Sequence, residues 1–182
     1  MKNNMQLVRV QDAAFPALPA LQQLYESCFP EVERRDFNQL LQLLSQPDMY
    51  LHALLVDDKP AGLAVHWQLD QFTYLEHLAI EPEYRGCGYG KAIVRWLLEQ
   101  PPPKLVLEVE LPTCETTRKR IAFYEQLGLT LQNAFDYQQP PYQRHGQPVP
   151  LCLMAAPALA SAEEFNRVSS CIRERVYERF YG

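Results

Sequence analysis

The spacing of apolar residues changes period several times along the chain, and each change marks an element. Met5–Val10 reads as a short strand. From Pro16 to Cys28 the apolar positions Leu18, Leu21, Leu24, Tyr25 and Cys28 recur at helical spacing. Pro16 suits the first turn of that helix, and Phe29-Pro30 ends it. Phe37, Leu40, Leu41 and Leu44 predict a second helix that closes before Pro47. Tyr50–Val56 and Ala61–Leu69 predict a hairpin around a tight turn at Asp57-Asp58-Lys59-Pro60. Phe72–Ile80 is a further strand, bounded by Asp70-Gln71 and Glu81-Pro82.

Beyond Gly90 the period returns to helical through Ile93, Val94, Trp96, Leu97 and Leu98, and the triple proline Pro101–Pro103 stops it. Lys104–Glu110 alternates as a strand. Thr116–Leu127 is helical and ends at Gly128, a C-cap by type. Leu129–Tyr137 and Val149–Met154 predict two more strands. The stretch Gln138–Pro148 predicts a long exposed loop of the kind that carries function. A last amphipathic helix runs from about Ser161, where Ser161-Ala162-Glu163-Glu164 resembles a capping box, towards Tyr181. Its apolar face (Phe165, Val168, Ile172, Val176, Phe180) suits either its own sheet or that of a second copy in a homodimer. The order predicts an α+β fold with a mixed sheet.

Composition narrows the class. The 182 residues suffice for one domain spanning 1–182 with a core of its own. An apolar fraction of 47% and a charged fraction of 21% belong to an ordinary globular chain. No apolar run reaches the roughly 18 residues of a membrane span. The first residues, Met1-Lys2-Asn3-Asn4-Met5, lack the apolar segment of a signal peptide, so a cytoplasmic location is expected and a membrane partner is not. Net charge is −5 without a basic block, which argues against a nucleic-acid partner and mildly favours a cationic substrate. The five cysteines (Cys28, Cys87, Cys114, Cys152, Cys171) form no C-x-x-C pair. They argue against zinc or a disulfide framework and read as small hydrophobes or inert thiols.

The chemistry concentrates at Arg85-Gly86-Cys87-Gly88-Tyr89-Gly90-Lys91. Three alternate glycines follow a strand and open a helix, where free N–H groups and the helix dipole suit phosphate. Arg85 and Lys91 add full charges. The dinucleotide pattern G-x-G-x-x-G fails here, because its last position falls on Lys91 or Ile93. The P-loop pattern fails as well, since Ala92 follows Gly90-Lys91 and Arg85 stands where the first glycine belongs.

What Arg85, Gly88 and Gly90 do match is [QR]-x-x-G-x-[GA], and here the chain resembles the GNAT superfamily of acyl-CoA-dependent N-acetyltransferases. The resemblance extends through Tyr74–Pro82, Leu107–Glu110 and Ile121–Gly128, and covers at least residues 50–137. It implies a single α+β domain with a mostly antiparallel sheet, parallel strands splayed at the CoA site, and an appended C-terminal helix. It implies acetyl-CoA as co-substrate, with no metal. The amides of Gly86, Cys87, Gly88, Tyr89, Gly90 and Lys91, beside Arg85, would hold the pyrophosphate. The backbone of Leu78 and Ile80 would pair with the pantetheine arm.

Acetyl transfer to a lysine-like amine meets a protonation problem, since a pKa near ~10.4 leaves about one molecule in ~2,500 neutral at pH 7. A base, often acting through a water, relieves it. Three carboxylates are candidates. Glu76 sits in a Tyr-Leu-Glu context similar to that of aminoglycoside acetyltransferases. Glu108 holds the Leu-Glu-Val position that carries the base in ribosomal-protein alanine acetyltransferases. Glu110 shares a face with Glu108 by the period of a strand; a bond to Arg118 or Arg120 would explain it structurally. Tyr124 matches the tyrosine that in the superfamily commonly points at the sulfur and protonates the leaving thiolate. His77 should point away from Glu76 and be structural.

The stretch Pro112–Thr117 replaces an Asn that many members carry, with Thr116 or Thr117 as substitutes. The acceptor, a small-molecule or peptide amine, would meet Phe29–Arg35 and Phe135–His145. An acyl-CoA-binding module without catalysis is the alternative reading.

Overall fold

The computed structural model describes residues 4–181. The reading of the N-terminal residues as free of a signal segment therefore falls partly on Met1–Asn3, outside the described residues. The described residues hold eight strands and five α-helices in an α+β arrangement. They cluster into two compact units: residues 4–68 with Leu75–Val94, and Leu69–Tyr74 with residues 95–181. No helix among them is long and apolar enough to cross a membrane.

In the first unit β1 (Met5–Val10) pairs antiparallel with β2 (Met49–Val56), which pairs antiparallel with β3 (Lys59–Gln68). The β2–β3 turn is tighter than the sequence predicts. Asp57 and Asp58 alone make it, at φ 49° and 63°, the left-handed geometry that matches strand twist. Lys59 and Pro60 already belong to β3. Leu54 faces Gly62 while Leu55 faces Pro60, so Ala61 is an extra residue, and this bulge accommodates the proline.

Helix α1 (Leu18–Cys28) buries Leu21, Leu24 and Tyr25. Pro19, not Pro16, occupies its first turn. Phe29 leaves it in extended geometry, as the residue before a proline prefers. Helix α2 (Phe37–Gln42) is capped by Asp36, whose carboxylate accepts from the N–H groups of Asn38 (2.9 Å) and Gln39 (3.3 Å). A 3-10 turn, Leu43–Ser45, completes it. Strand β4 (Thr73–Ile80) leads through a 3-10 turn at Pro82–Tyr84 into α3 (Tyr89–Glu99).

In the second unit β5 (Leu105–Glu110) pairs antiparallel with β8 (Val149–Ala156), placing Glu108 opposite Leu153. Helix α4 (Glu115–Glu125) starts where Cys114 N–H donates to Thr117 Oγ1 at 3.2 Å. It ends in a Schellman motif: Leu129 N–H bonds Tyr124 O, Gly128 N–H bonds Glu125 O, and Gly128 stands at φ +90°. The strand predicted over Leu129–Tyr137 is instead two short ones, β6 (Thr130–Leu131) and β7 (Tyr137–Gln139), both on β8. The chain turns between them because Phe135 leaves the strand line to lie 4.7 Å from the Phe165 ring. β7 also takes the first residues of the expected Gln138–Pro148 loop.

Helix α5 (Ala162–Ile172) begins at Ser161, which accepts from Glu164 N–H. Only half of the expected box forms, because Glu164 reaches back to Ala160 N–H. The regular helix stops at Ile172 rather than running towards Tyr181. A π-type turn, Arg173–Tyr177, and a 3-10 turn, Glu178–Phe180, come next. Phe165, Val168, Ile172 and Val176 are buried within the chain, so this face covers the protein's own interior. Such burial is worth about 1.5–3 kcal/mol per large side chain.

Candidate functional site

The glycine loop is built by backbone conformation. Gly86 and Gly88 stand at φ +78° and +87°, values that an L side chain adopts only under strain. A Cβ placed on either would meet nothing within 4 Å, so the loop's outer side is open. Ala92 N–H bonds Gly88 O at 3.0 Å. That bond starts the α3 ladder, and the amides ahead of it are those a helix leaves outside its own ladder. Arg85, Gly86, Cys87 and Gly88 are exposed, and Tyr89, Gly90 and Lys91 half-buried. These residues fit a phosphate group.

Two features at this end were not foreseen. Arg85 turns back: its Nε donates to Ile80 O at 2.9 Å and its Nη2 lies 3.6 Å from Cys28 Sγ. The guanidinium thus braces the loop against the end of β4, engaging one lone pair of the Ile80 carbonyl and leaving the other. Gly62 on β3 is the second. A Cβ there would stand 2.6 Å from Ala79 O and 2.8 Å from Ile80 Cδ1, so only glycine lets β3 approach β4 beside Ile80. Leu78 and Ile80 are half-buried, alternating with buried His77 and Ala79.

Glu76 lies inside the first unit. Its Oε2 accepts from the Trp67 indole N–H at 2.6 Å, and its Oε1 is 3.4 Å from Arg35 Nε. The Arg35 and Glu76 side chains are 3% and 1% exposed. Arg35 N–H donates to the Tyr25 hydroxyl; burial, with the Glu76 charge beside it, raises that phenol well above its ordinary pKa. His77 sits between the rings of Tyr25 (5.0 Å) and Phe29 (4.4 Å) and donates from Nε2 to Glu33 O. Its Nδ1 is 3.9 Å from Glu76 Oε1, so the ring does not point away from Glu76 as expected, and burial lowers its pKa.

The second unit holds Glu108 and Tyr124. Glu108 Oε1 accepts from Tyr137 and Oε2 from Tyr177 at 3.0 Å. Tyr124, on the last turn of α4, is buried, and its phenol is pushed up to about 12, chiefly by burial, with Arg120 lowering and Glu110 raising it. It therefore keeps its proton at neutral pH. Glu110 pairs with Arg120 at the surface. Thr117 is engaged in capping α4. Cys87 and Cys114 are exposed and so are not small core hydrophobes, one of the two readings expected of the cysteines, whereas Cys152 is buried. Hydrogen bonds from Thr117 lower the Cys114 thiol pKa.

The acetyltransferase (GNAT) family model matches residues 18–129. The chain belongs to the GNAT family of acetyltransferases. A GNAT-family protein from Bacteroides thetaiotaomicron is 29% identical, with a TM-score of 0.85 over 94% of this chain and 98% of its own. The ribosomal-protein-S18-alanine N-acetyltransferase of Escherichia coli is similar in fold at 20% identity and TM-score 0.59, covering 84% and 92%. So is a GNAT acetyltransferase from Elizabethkingia anophelis with acetyl-CoA bound, at 14% identity and TM-score 0.56, covering 85% and 98%. No curated protein sequence matches the chain.

The GNAT reaction moves an acetyl group from acetyl-CoA to an amine. Of the expected GNAT site residues, Leu78, Ile80 and Arg85–Lys91 are contiguous in the first unit with Glu76, and Glu108 and Tyr124 belong to the second. Sequence reasoning missed Trp67, Gly62 and Tyr177, and placed Arg35 at the acceptor where it is instead buried beside Glu76. A glycine inside a strand was the one available signal, for Gly62.

Proposed function

We propose that the chain is an N-acetyltransferase acting by direct attack of an amine in a ternary complex with acetyl-CoA. The observation that carries this is the left-handed Gly86–Gly88 loop, open on its outer side, at the start of α3. In this reading the amides of Gly86 to Lys91 bind the pyrophosphate, with Arg85 holding the loop in place. The Leu78–Ile80 backbone lies along the pantetheine arm. Tyr124, protonated throughout the neutral range, gives a proton to the departing thiolate.

Glu108 serves as the base through a water. What supports Glu108 over Glu76 is the nature of their partners: Glu76 faces a buried guanidinium and Glu108 two hydroxyls. The pair with Arg35 and the bond from the Trp67 indole engage both oxygens of Glu76 in a buried structural contact, whereas two hydroxyls orient those of Glu108. Glu76 then anchors the Arg35 segment. The acceptor is an amine carried by a small molecule or a peptide.

The test is a thiol-release assay with acetyl-CoA against polyamines, aminoglycosides, amino acids and peptides, alongside calorimetric binding of acetyl-CoA. Turnover with one class supports the reading. Binding without thiol release across the panel supports an inactive acyl-CoA-binding module, and absence of binding refutes both.

A further inference from the structure

Past the span matched by the family model, the chain sends two hydroxyls back to a site residue, those of Tyr137 and Tyr177 to Glu108, and the second comes from the C-terminal segment. After Ile172 the helix widens into the π-type turn Arg173–Tyr177, with Glu178 N–H bonding Arg173 O. One extra residue in a turn rotates the residues beyond it by about 100°, and such turns are rare and concentrate at functional sites. Here Tyr177 is fully buried, with the ring of Tyr142 at 4.9 Å. Covering a core would ask only for a phenylalanine. Instead the Tyr177 hydroxyl lies 3.0 Å from Glu108 Oε2, 3.1 Å from the Tyr74 hydroxyl and 3.0 Å from Gln139 Nε2.

A phenol has one proton and two lone pairs. The Tyr177 proton goes to Glu108 Oε2, so Gln139 and Tyr74 must donate to Tyr177. The bonds thus run one way, towards the carboxylate. Tyr137 donates to its other oxygen, and both oxygens are oriented by buried hydroxyls.

We propose that Tyr177 is a positioning residue for Glu108, which makes the C-terminal segment part of the acyl-transfer machinery as well as a cover for the interior. The inference rests on reading Glu108 as the base. The titratable and charged groups described around it include Tyr137 on β7, Tyr177 with Tyr74 behind it, and Arg173, whose cation acts on Tyr137. Burial first, then the Glu108 charge, holds the Tyr137 phenol well above its ordinary pKa, so Tyr137 stays a donor across the working range.

The experiment compares Tyr177→Phe, Tyr74→Phe and Glu108→Gln in the full chain, with acetyl-CoA and the panel amine of highest turnover. Tyr177→Phe is expected to lower kcat roughly tenfold, keep the KM for acetyl-CoA within about twofold, and move the acid limb of the pH profile up by about half a unit. Tyr74→Phe, one bond further away, should shift the limb the same way by less, and it carries the test if Tyr177→Phe does not fold. An unmoved acid limb in folded variants, with or without a fall in kcat, overturns the positioning role while leaving Glu108 as base. Full activity in Glu108→Gln overturns the base assignment and this inference together.

Discussion

Arg35 Nε lies 3.4 Å from Glu76 Oε1, and both side chains are sealed from solvent. One end of this pair comes from the segment joining α1 to α2 and the other from the middle of β4, so the contact ties a loop to a strand 41 residues later in sequence. Removing one partner leaves an uncompensated buried charge. Arg35→Leu should therefore cost about 3–5 kcal/mol of stability, read as a lower urea midpoint at an unchanged slope. A loss below about 1 kcal/mol would mean that Glu76 has another way to be satisfied.

At Gly88 the prediction separates backbone from space. Alanine there has room, since its Cβ would meet nothing within 4 Å, but must hold φ +87°. That geometry costs about 1–2 kcal/mol for an L residue, so Gly88→Ala should weaken acetyl-CoA binding about tenfold by calorimetry. Gly88→Glu adds a like charge beside phosphate and should abolish binding. Unchanged affinity in both would remove the loop from the binding site.

For Tyr124 the hydroxyl is the point at issue. Tyr124→Phe keeps the buried ring and is expected to cut turnover at least tenfold with acetyl-CoA affinity nearly intact. With the phenol pushed up to about 12, its ionisation should leave no mark on the rate below about pH 10. Equal turnover in the variant would exclude it as the proton donor.

Acid sensitivity has a distinct source in the first unit. His66 Nε2 and His52 Nδ1 lie 3.2 Å apart, with the Tyr50 ring stacked on His66 at 5.0 Å and Arg9 over Tyr50. Burial lowers His66 to about 3 and His52 to about 4, with nearby positive charge adding to it. Both folded values are depressed below 6.5, so the unfolded chain binds more protons as pH falls. Stability is full above about pH 6.5 and is lost downward towards pH 4, with a slope of up to ~1.4 kcal/mol per pH unit for each histidine. Chemical denaturation across pH 4–7 reads the slope, and His66→Gln should flatten it.

Range decides how much of the molecule was legible in the sequence. Helices α1 and α4 and strands β1, β2 and β8 announce themselves by period, and the glycine loop by local spacing, because each depends on neighbours a few residues away. The break between β6 and β7 depends on Phe135 finding Phe165, 30 residues on, and no local pattern carries that. The same holds for the partners of the two glutamates. Glu76 and Glu108 look alike as carboxylates within apolar strands, and Arg35, Trp67, Tyr137 and Tyr177 distinguish them from distant positions. Pro16 was read into the first turn of α1, where Pro19 stands instead, because propensity alone does not rank two prolines three residues apart.

The Asp57–Asp58 turn holds two like-charged side chains at left-handed φ, a conformation glycine occupies without strain. Asp57 repays part of this, since its carboxylate accepts from Asn4 N–H while its own N–H bonds Asn4 O. Asp58 has no such bond among those described. The hairpin thus keeps a reserve of unclaimed stability one codon wide: glycine at position 58 should relax the turn, making it a natural first site for hardening the protein without touching its chemistry.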